Sequence, residues 1–438
     1  MCFICVCILV SACVKAGATD KKANNTPVVL SGKPTRTVQF FSTQLNPSEE
    51  ANKMRQVILA GFPGTVDFQP NNSSYFYKSI KTALFNDPDA AVLLGSLYSE
   101  FRGLYKVGAL RQLDDLYSKL AERKFSESLL ALSRFDGAHS YCVPWMQATY
   151  LLVINKKALK YLPKGVAPDT LTYSQLLKWL AQIKLETGMN GMGFPASDQG
   201  LMHRFFQGYL YPSFTGSTLA KFRSDNAVAM WNFFKDLWKY VNPNSLTYSN
   251  MTDPLLNGEV LIGWDHTARL VKLFEANAKD FIAIPAPFGS FGRGYIPVIS
   301  GLAIPAEARQ TADAELLAEF LTDPAVQARM PAAVGFFPVV DSSLIRGIPE
   351  YLVSLNRAVA RQSETAGGIP TALPTGLGEY GDAYNRIFML TFSDIVLGGK
   401  DPALVLEENA KKLQALLDKA QAPFWPPDKS DGKTGIIE

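Results

Sequence analysis

Trp264, Asp265 and His266 close the stretch "EVLIGWDH", and their side chains differ in the chemistry they offer. An indole presents a flat apolar face, a carboxylate accepts hydrogen bonds, and an imidazole can carry a proton. A ring beside an acid suits a polyhydroxylated ligand, since the ring can stack on C–H faces while Asp265 accepts from two hydroxyls. The same acid can instead cap a helix that begins at His266. In "GLMHRFFQGYLYPS", His203, Phe206 and Tyr209 have helical spacing, with the His203 end expected to face a ligand. Arg204 in that stretch is the one obvious basic candidate. "VPWMQAT" places Trp145 after Pro144, whose fixed φ ends the preceding strand.

Catalysis finds few footholds. The three histidines, His139, His203 and His266, form no HExxH and no His/Cys cluster, so neither a metal nor a cofactor is expected. His139 and Cys142 lie three apart, a spacing that turns them to opposite faces of a strand, so Cys142 reads as a core residue. "GSFGRG" (289–294) lacks the Lys-Ser/Thr of a phosphate loop and reads as a mobile surface turn. A glycoside hydrolase would need two acids about 5–10 Å apart. Asp265 could be one, but no second stands out in the strand-end loops, and no catalytic residue is assigned.

These groups need a scaffold, and the hydropathy pattern supplies one. "TVQFFS" (37–42), "TVDFQ" (65–69) and "DAAVLLG" (89–95) read as strands separated by helical spacing. Asn46-Pro47-Ser48-Glu49 carries the signature of a helix start. Strand and helix alternate and the strands are continuously apolar, which argues for an α/β fold with a parallel sheet covered on both faces. Further on, Thr172 and Gln175 form a capping-box pattern ahead of a helix ending at Gly188. Val228, Trp231, Phe234, Trp238 and Val241 share one helical face and read as core. "GEVLIGW" (258–264), "FIAIPAP" (281–287) and "YIPVISGLAIP" (295–305) return to strand, and the last hundred residues read as helices. Ligands in such sheets sit outside the carboxyl ends of the strands, which points to Thr43 and Gln44 after the first strand and to Ser96 and Tyr98 after the third.

The ends of the chain differ from its body. Four of five cysteines, Cys2, Cys5, Cys7 and Cys13, fall in the first thirteen positions. Residues 1–12 are apolar and uncharged, too short to span a membrane, and resemble an export signal, although no Lys or Arg precedes the apolar run. Val10-Ser11-Ala12-Cys13 is similar to a bacterial lipobox, so lipidation is expected at Cys13, with a flexible tether over 13–36. The rest exceeds the roughly 250–300 residues at which one core splits, so two domains are expected. With 43 basic and 40 acidic residues interspersed, no basic patch indicates nucleic acid.

Four stretches in order carry a family resemblance. They are "DAAVLLGSLYSEFRGLYKVGALRQLDDL" (89–116), "DGAHSYCVPWMQATYLLVINKKAL" (136–159), "LLNGEVLIGWDHTARLVKL" and "GLAIPAEARQTADAELLAEFLTDPAVQARMPAAVGFFPVV" (301–340). Together they resemble the bacterial extracellular solute-binding proteins of the sugar-binding group, typified by maltose-binding protein, over about residues 37–425. The resemblance implies a type II periplasmic-binding-protein fold: two α/β lobes, each a mostly parallel sheet flanked by helices. Residues 37–146 with 299–340 would build one lobe, 147–298 with 341–425 the other, and 426–438 a C-terminal tail. It implies a monomer that closes on a sugar in the interlobe cleft and is read by the membrane permease of an ABC transporter. Lipid on Cys13 would hold it outside the cytoplasmic membrane. The expected ligand contacts are Gln44, Ser96, Tyr98, Trp145, His203, Trp264, Asp265 and Phe337, where Phe336 and Phe337 share one loop, and the resemblance adds Gln147 and Tyr380. A binder of glycerol phosphate or another small anion, and a lipid-anchored hydrolase, stand as alternatives.

Overall fold

The computed structural model describes residues 28–45, 48–135 and 137–438. The leader over 1–12, Cys13 and the Asn46-Pro47 helix start lie outside them. The last part of the expected tether is bound rather than loose. Ser31 donates from its backbone N–H to Glu319 at 3.0 Å, Thr35 likewise to Asp313 at 2.6 Å, and Leu30 packs on the adjoining core.

The chain lays down β1 (Val38–Ser42), β2 (Val66–Pro70) and β3 (Ala91–Leu97), then β4 (Val143–Ala148) and β5 (Tyr150–Asn155). It adds β6 (Met192–Gly193), β7 (Ile262–His266) and β8 (Phe281–Ile284), then β9 (Arg293–Tyr295), β10 (Val298–Ala303) and β11 (Gly368–Pro370). The first sheet has the order β2-β1-β3-β10-β4 and the second β6-β7-β5-β8. Thr149 is the only residue between β4 of the first sheet and β5 of the second, and the chain returns across the same gap between β9 and β10. The result is two α/β lobes joined by crossing segments.

Each sheet is mostly parallel, as expected, with one strand reversed in each. β2, β1 and β3 are parallel, but β10 runs antiparallel to both β3 and β4, and β5 runs antiparallel to both β7 and β8. The cause is the crossing itself: a strand arriving from the other lobe enters at the hinge end of the sheet and runs against strands that finish there. Apolar continuity marks burial on both faces, not direction.

Burial follows the pleat. Tyr150, Leu152 and Ile154 of β5 join one core of lobe 2, and Leu151 and Val153 join another on the opposite face. A separate core fills lobe 1 around Phe40, Phe101 and Trp145. The helix Tyr173–Thr187 starts as expected, with Gln175 N–H donating to Thr172 Oγ1 at 3.2 Å and Thr172 N–H donating back to Gln175 Oε1 at 2.9 Å. Trp231 and Phe234 are fully buried, in keeping with a core face on that helix. The glycine-rich 289–294 segment is not a free turn: Arg293 is buried, lies over the Phe288 ring at 4.0 Å, and starts β9.

Residues 426–438 pack against lobe 2. Asp428 is buried and accepts from Ser217 Oγ, from Thr218 N–H at 3.1 Å and from Leu219 N–H at 2.7 Å. Asp428→Ala strands these buried donors and is expected to lower unfolding stability by about 1–3 kcal/mol, read as a reduced midpoint in urea at unchanged m.

Candidate functional site

Strand register fixes which loops meet. Ser300 of β10 pairs with Leu97, the last residue of β3, and Val298 pairs with Ala148, next to the crossing at Thr149. Ser42 at the end of β1 pairs with Gly95. In lobe 2, His266 at the end of β7 pairs with Tyr150, the first residue after the crossing. The carboxyl ends of β1, β3 and β7 therefore all lie at the hinge, where open sheets hold their ligands.

The crossing is held by a compact polar node. Thr149 Oγ1 donates to Ile296 O at 2.9 Å and lies 3.1 Å from Tyr209 Oη. Gln362 Nε2 donates to Thr149 Oγ1 at 2.6 Å and to Tyr150 O at 3.0 Å. Thr267 N–H donates to Thr149 O at 2.8 Å. Both crossing strands are thus tied to lobe 2 at one point.

On lobe 1, Glu100 organises the rim. Its carboxylate accepts from Thr43 Oγ1 at 2.6 Å and from the hydroxyls of Ser96 and Ser73. Thr43 follows β1, Ser73 follows β2 and Ser96 lies near the end of β3, so one acid ties three strand ends together. Gln44 Nε2 donates to Thr43 Oγ1 at 3.2 Å, which brings Gln44 and Ser96 into one cluster. Ser96 itself is fully buried and Thr43 nearly so, so the accessible members are Gln44, Glu100 and Ser73.

On lobe 2, the expected Trp264–Asp265 partnership fails. Both residues lie inside β7, so their side chains point to opposite faces of the sheet. Trp264 is fully buried and stacks on Tyr150 at 4.7 Å with 7° between the rings. Asp265 is fully buried on the other face, where it accepts from Met251 N–H at 2.8 Å and His266 N–H at 2.7 Å. Burial pushes its carboxyl up to about 6, with Arg269 at 3.8 Å pulling the other way. His266 Nδ1 accepts from Ala268 N–H at 3.3 Å, which leaves Nε2 to carry the ring proton. Burial, and then Arg269, lower His266 to about 4, and burial with Arg204 lowers His203 to about 3, so both are neutral near pH 7. His203 and Arg204 are partly buried, and Arg204 Nη1 donates to Gln207 Oε1 at 3.0 Å.

Other expected contacts lie elsewhere. Trp145 is fully buried against Phe40 at 5.4 Å, and a Cβ at Gly95 would meet both rings at 2.9 Å, so the indole is core packing. The Tyr98 ring turns under β10, where a Cβ at Gly301 would meet it at 2.6 Å. Phe337 is buried in a lobe 2 core, and its backbone pairs with Gln147 in both directions. Gln147 Nε2 donates to Pro338 O at 2.6 Å and lines a cavity of about 440 Å³ beside the hinge, between Leu129 of lobe 1 and Val359 of lobe 2. Tyr380 is partly exposed at the end of a short 3-10 turn and joins neither rim cluster. A wider groove of about 750 Å³, lined by Lys78, Phe85 and Arg309, lies on lobe 1 and includes no strand-end residue.

Sequence reasoning missed Glu100, Tyr150 and Arg269. Glu100 was legible as the third residue of a helix after an apolar strand; its hydroxyl partners are brought to it only by the fold. The rims are chemically unlike. Lobe 1 presents a carboxylate and an amide, and lobe 2 presents guanidinium groups and imidazole N–H. Among the described residues no cluster of His, Cys, Asp or Glu could hold a metal ion, and no helix is long and apolar enough to cross a membrane.

A profile of the bacterial extracellular solute-binding proteins matches residues 64–346. Among solved structures, the sugar-binding protein MalE from Xanthomonas citri is similar, with 18% identity, 88% of this chain and 98% of that one covered, and a TM-score of 0.67. An extracellular solute-binding protein family 1 member from Alicyclobacillus acidocaldarius gives 16% identity, 89% and 100% coverage, and 0.67. UgpB from Mycobacterium tuberculosis, solved with glycerophosphocholine, gives 21% identity, 88% and 99% coverage, and 0.61. The fold is the two-lobed type II periplasmic-binding fold that such proteins share. A search of the curated proteins finds none that matches.

The buried titratable groups fix a sign for pH dependence. The two histidines sit below their ordinary 6.5, so the stability tied to their neutral forms is present above that value and is lost as pH falls toward about 4 and 3. Asp265, raised from 3.8 to about 6, opposes them, losing stability as pH rises through that interval. Denaturant midpoints should rise between pH 4.5 and 6.5, and the slope should reverse in the His203→Asn/His266→Asn variant. Trp145→Phe should lower the midpoint without changing ligand affinity, and an affinity change would put the indole back at the ligand.

Proposed function

Because this chain belongs to the bacterial extracellular solute-binding proteins, we propose that it captures a sugar between its lobes and delivers it to the permease of an ABC importer. One observation carries the reading: the carboxyl ends of β1, β3 and β7 meet at the crossing, so a solute there touches both lobes. Contacts to both lobes exist only when the lobes close, and a ligand shifts that equilibrium by its differential affinity for the closed form. The chain performs no chemistry on the solute and works as a monomer. We assign the lobes close to 37–146 with 299–340 and 147–298 with 341–425, with the first boundary moved to Thr149 and the second to the residue before Val298 so that β4 and β10 stay whole in lobe 1.

The contacts we assign are Gln44 and Glu100 on lobe 1, and His203, Arg204 and His266 on lobe 2. Ser96 and Asp265 hold these groups in place from beneath. A lipid on Cys13, after a cleaved leader over 1–12, keeps the carrier beside its permease.

A thermal-shift screen of the protein begun at Thr19 tests the reading, with mono-, di- and oligosaccharides against citrate and ferric ion. A bound sugar supplied at 100 times its Kd should add about 2.7 kcal/mol of stability and be recovered unchanged. Response to citrate or iron alone would remove the sugar, and cleavage of a sugar would make the chain an enzyme. Cys13→Ser should move the protein from the membrane fraction to the soluble one.

A further inference from the structure

Resting on the reading of the cleft as a sugar site, we propose that the solute is a polyhydroxylated anion, a sugar or polyol bearing a carboxylate or phosphate, whose charge is received by Arg204. The proposal starts from what Arg204 lacks. A guanidinium has five donors in a planar fork, and the Arg204 side chain spends one on the neutral amide oxygen of Gln207 at 3.0 Å. Gln207 is itself buried and donates from Nε2 to Asn385 Oδ1 at 3.0 Å, which fixes its amide and so aims the guanidinium. Among the described residues no carboxylate is paired with Arg204. The chain's other partly buried cation on this rim, Arg269, has Asp265 at 3.8 Å.

The surroundings of Arg204 do not compensate its charge. His203 beside it is held neutral, in part by the guanidinium itself. Phe205, next to Arg204, packs on Trp264 of β7 at 5.2 Å, and the Tyr150 ring lies 4.9 Å from that of His266, so the chain carries Arg204 to the end of β7. His266 adds an Nε2–H donor at the same strand end. This rim therefore offers donors and net positive charge.

Lobe closure turns this into a selection rule. As water leaves the cleft, Arg204 must be repaired by the ligand or remain a desolvated cation, which is costly. The hydroxyls of a neutral sugar accept one at a time from a guanidinium, whereas a carboxylate or phosphate accepts from two of its N–H groups at once. On the opposite rim Glu100 already has donors from Ser73, Ser96 and Thr43, so it faces hydroxyls of the ligand and repels its anionic end. The ligand is thereby oriented, with its charge toward lobe 2 and its hydroxyls toward lobe 1.

Matched pairs test this by calorimetry: D-galactose with D-galacturonate, glucose with glucose 6-phosphate, and glycerol with glycerol 3-phosphate. In at least one pair the anion should bind about 30-fold tighter than its neutral partner, the size expected for charge-assisted bonds to one group. Arg204→Gln should abolish that preference, bringing the anion's affinity down to that of its neutral partner, while Arg204→Lys should keep part of it. Preference should also shrink with added salt. If in every pair that binds the neutral sugar does at least as well as its acid, or the preference survives Arg204→Gln in a folded protein, the inference is overturned while the sugar carrier stands. If neutral sugars and anions all fail to bind, the reading of the cleft fails with it.

Discussion

The position of every ligand-facing group depends on how Thr149 is held. This single residue separates the two sheets, and its hydroxyl meets Ile296 O, Tyr209 and Gln362 while its backbone pairs with Thr267. The node is buried, so its bonds are made in a low dielectric and each unpaired group would be costly. It ties both crossing strands to lobe 2, so bending is directed to the residues on the lobe 1 side of the node. The strand ends it fixes, Leu97, Ser42 and His266, then carry the rims with them as rigid edges.

Each rim is organised by a buried or half-buried acid that spends its lone pairs inward. Glu100 gathers the ends of β1, β2 and β3, and Asp265 holds the backbone on either side of β7. Groups that are already satisfied hold their neighbours at fixed distances, and a carrier needs that more than it needs reactivity. The chemical asymmetry of the cleft, acceptors on one side and donors on the other, follows from which residues those acids leave over.

Much of the fold was legible in residue pattern, and the failures have physical causes. A continuous apolar run identified β3, which is buried on both faces, while β1 and the edge strand β2 were legible from their β-branched and aromatic residues. Such patterns could not reveal that β10 is antiparallel, since direction is set by a crossing from a distant segment. Trp264 and Asp265 looked like a pair because the apolar residues before them seemed to be the whole strand. The strand begins at Ile262 and continues through both, and one residue of offset sends neighbours to opposite faces. Trp145 and Tyr98 were aromatic and near strand ends, yet the close approach of Gly95 and Gly301 draws both rings inward. The strand-end rule pointed to Gln44 and Ser96, which the fold joins through Thr43, whereas Glu100 meets hydroxyls about 27 and 57 residues away that only the fold brings to it.

The place of β10 governs how the molecule can be made. This strand lies between β3 and β4, and its pairing of Ser300 with Leu97 spans roughly 200 residues of chain. Until it arrives, β3 and β4 each present an unpaired apolar edge, the kind of template on which chains associate wrongly. Lobe 1 therefore cannot be finished as its first segment emerges; it waits for lobe 2 to be largely synthesised. A chain built this way stays open until late in synthesis, which suits passage through a narrow export channel before folding and makes chaperone cover of those two edges the step on which its yield depends.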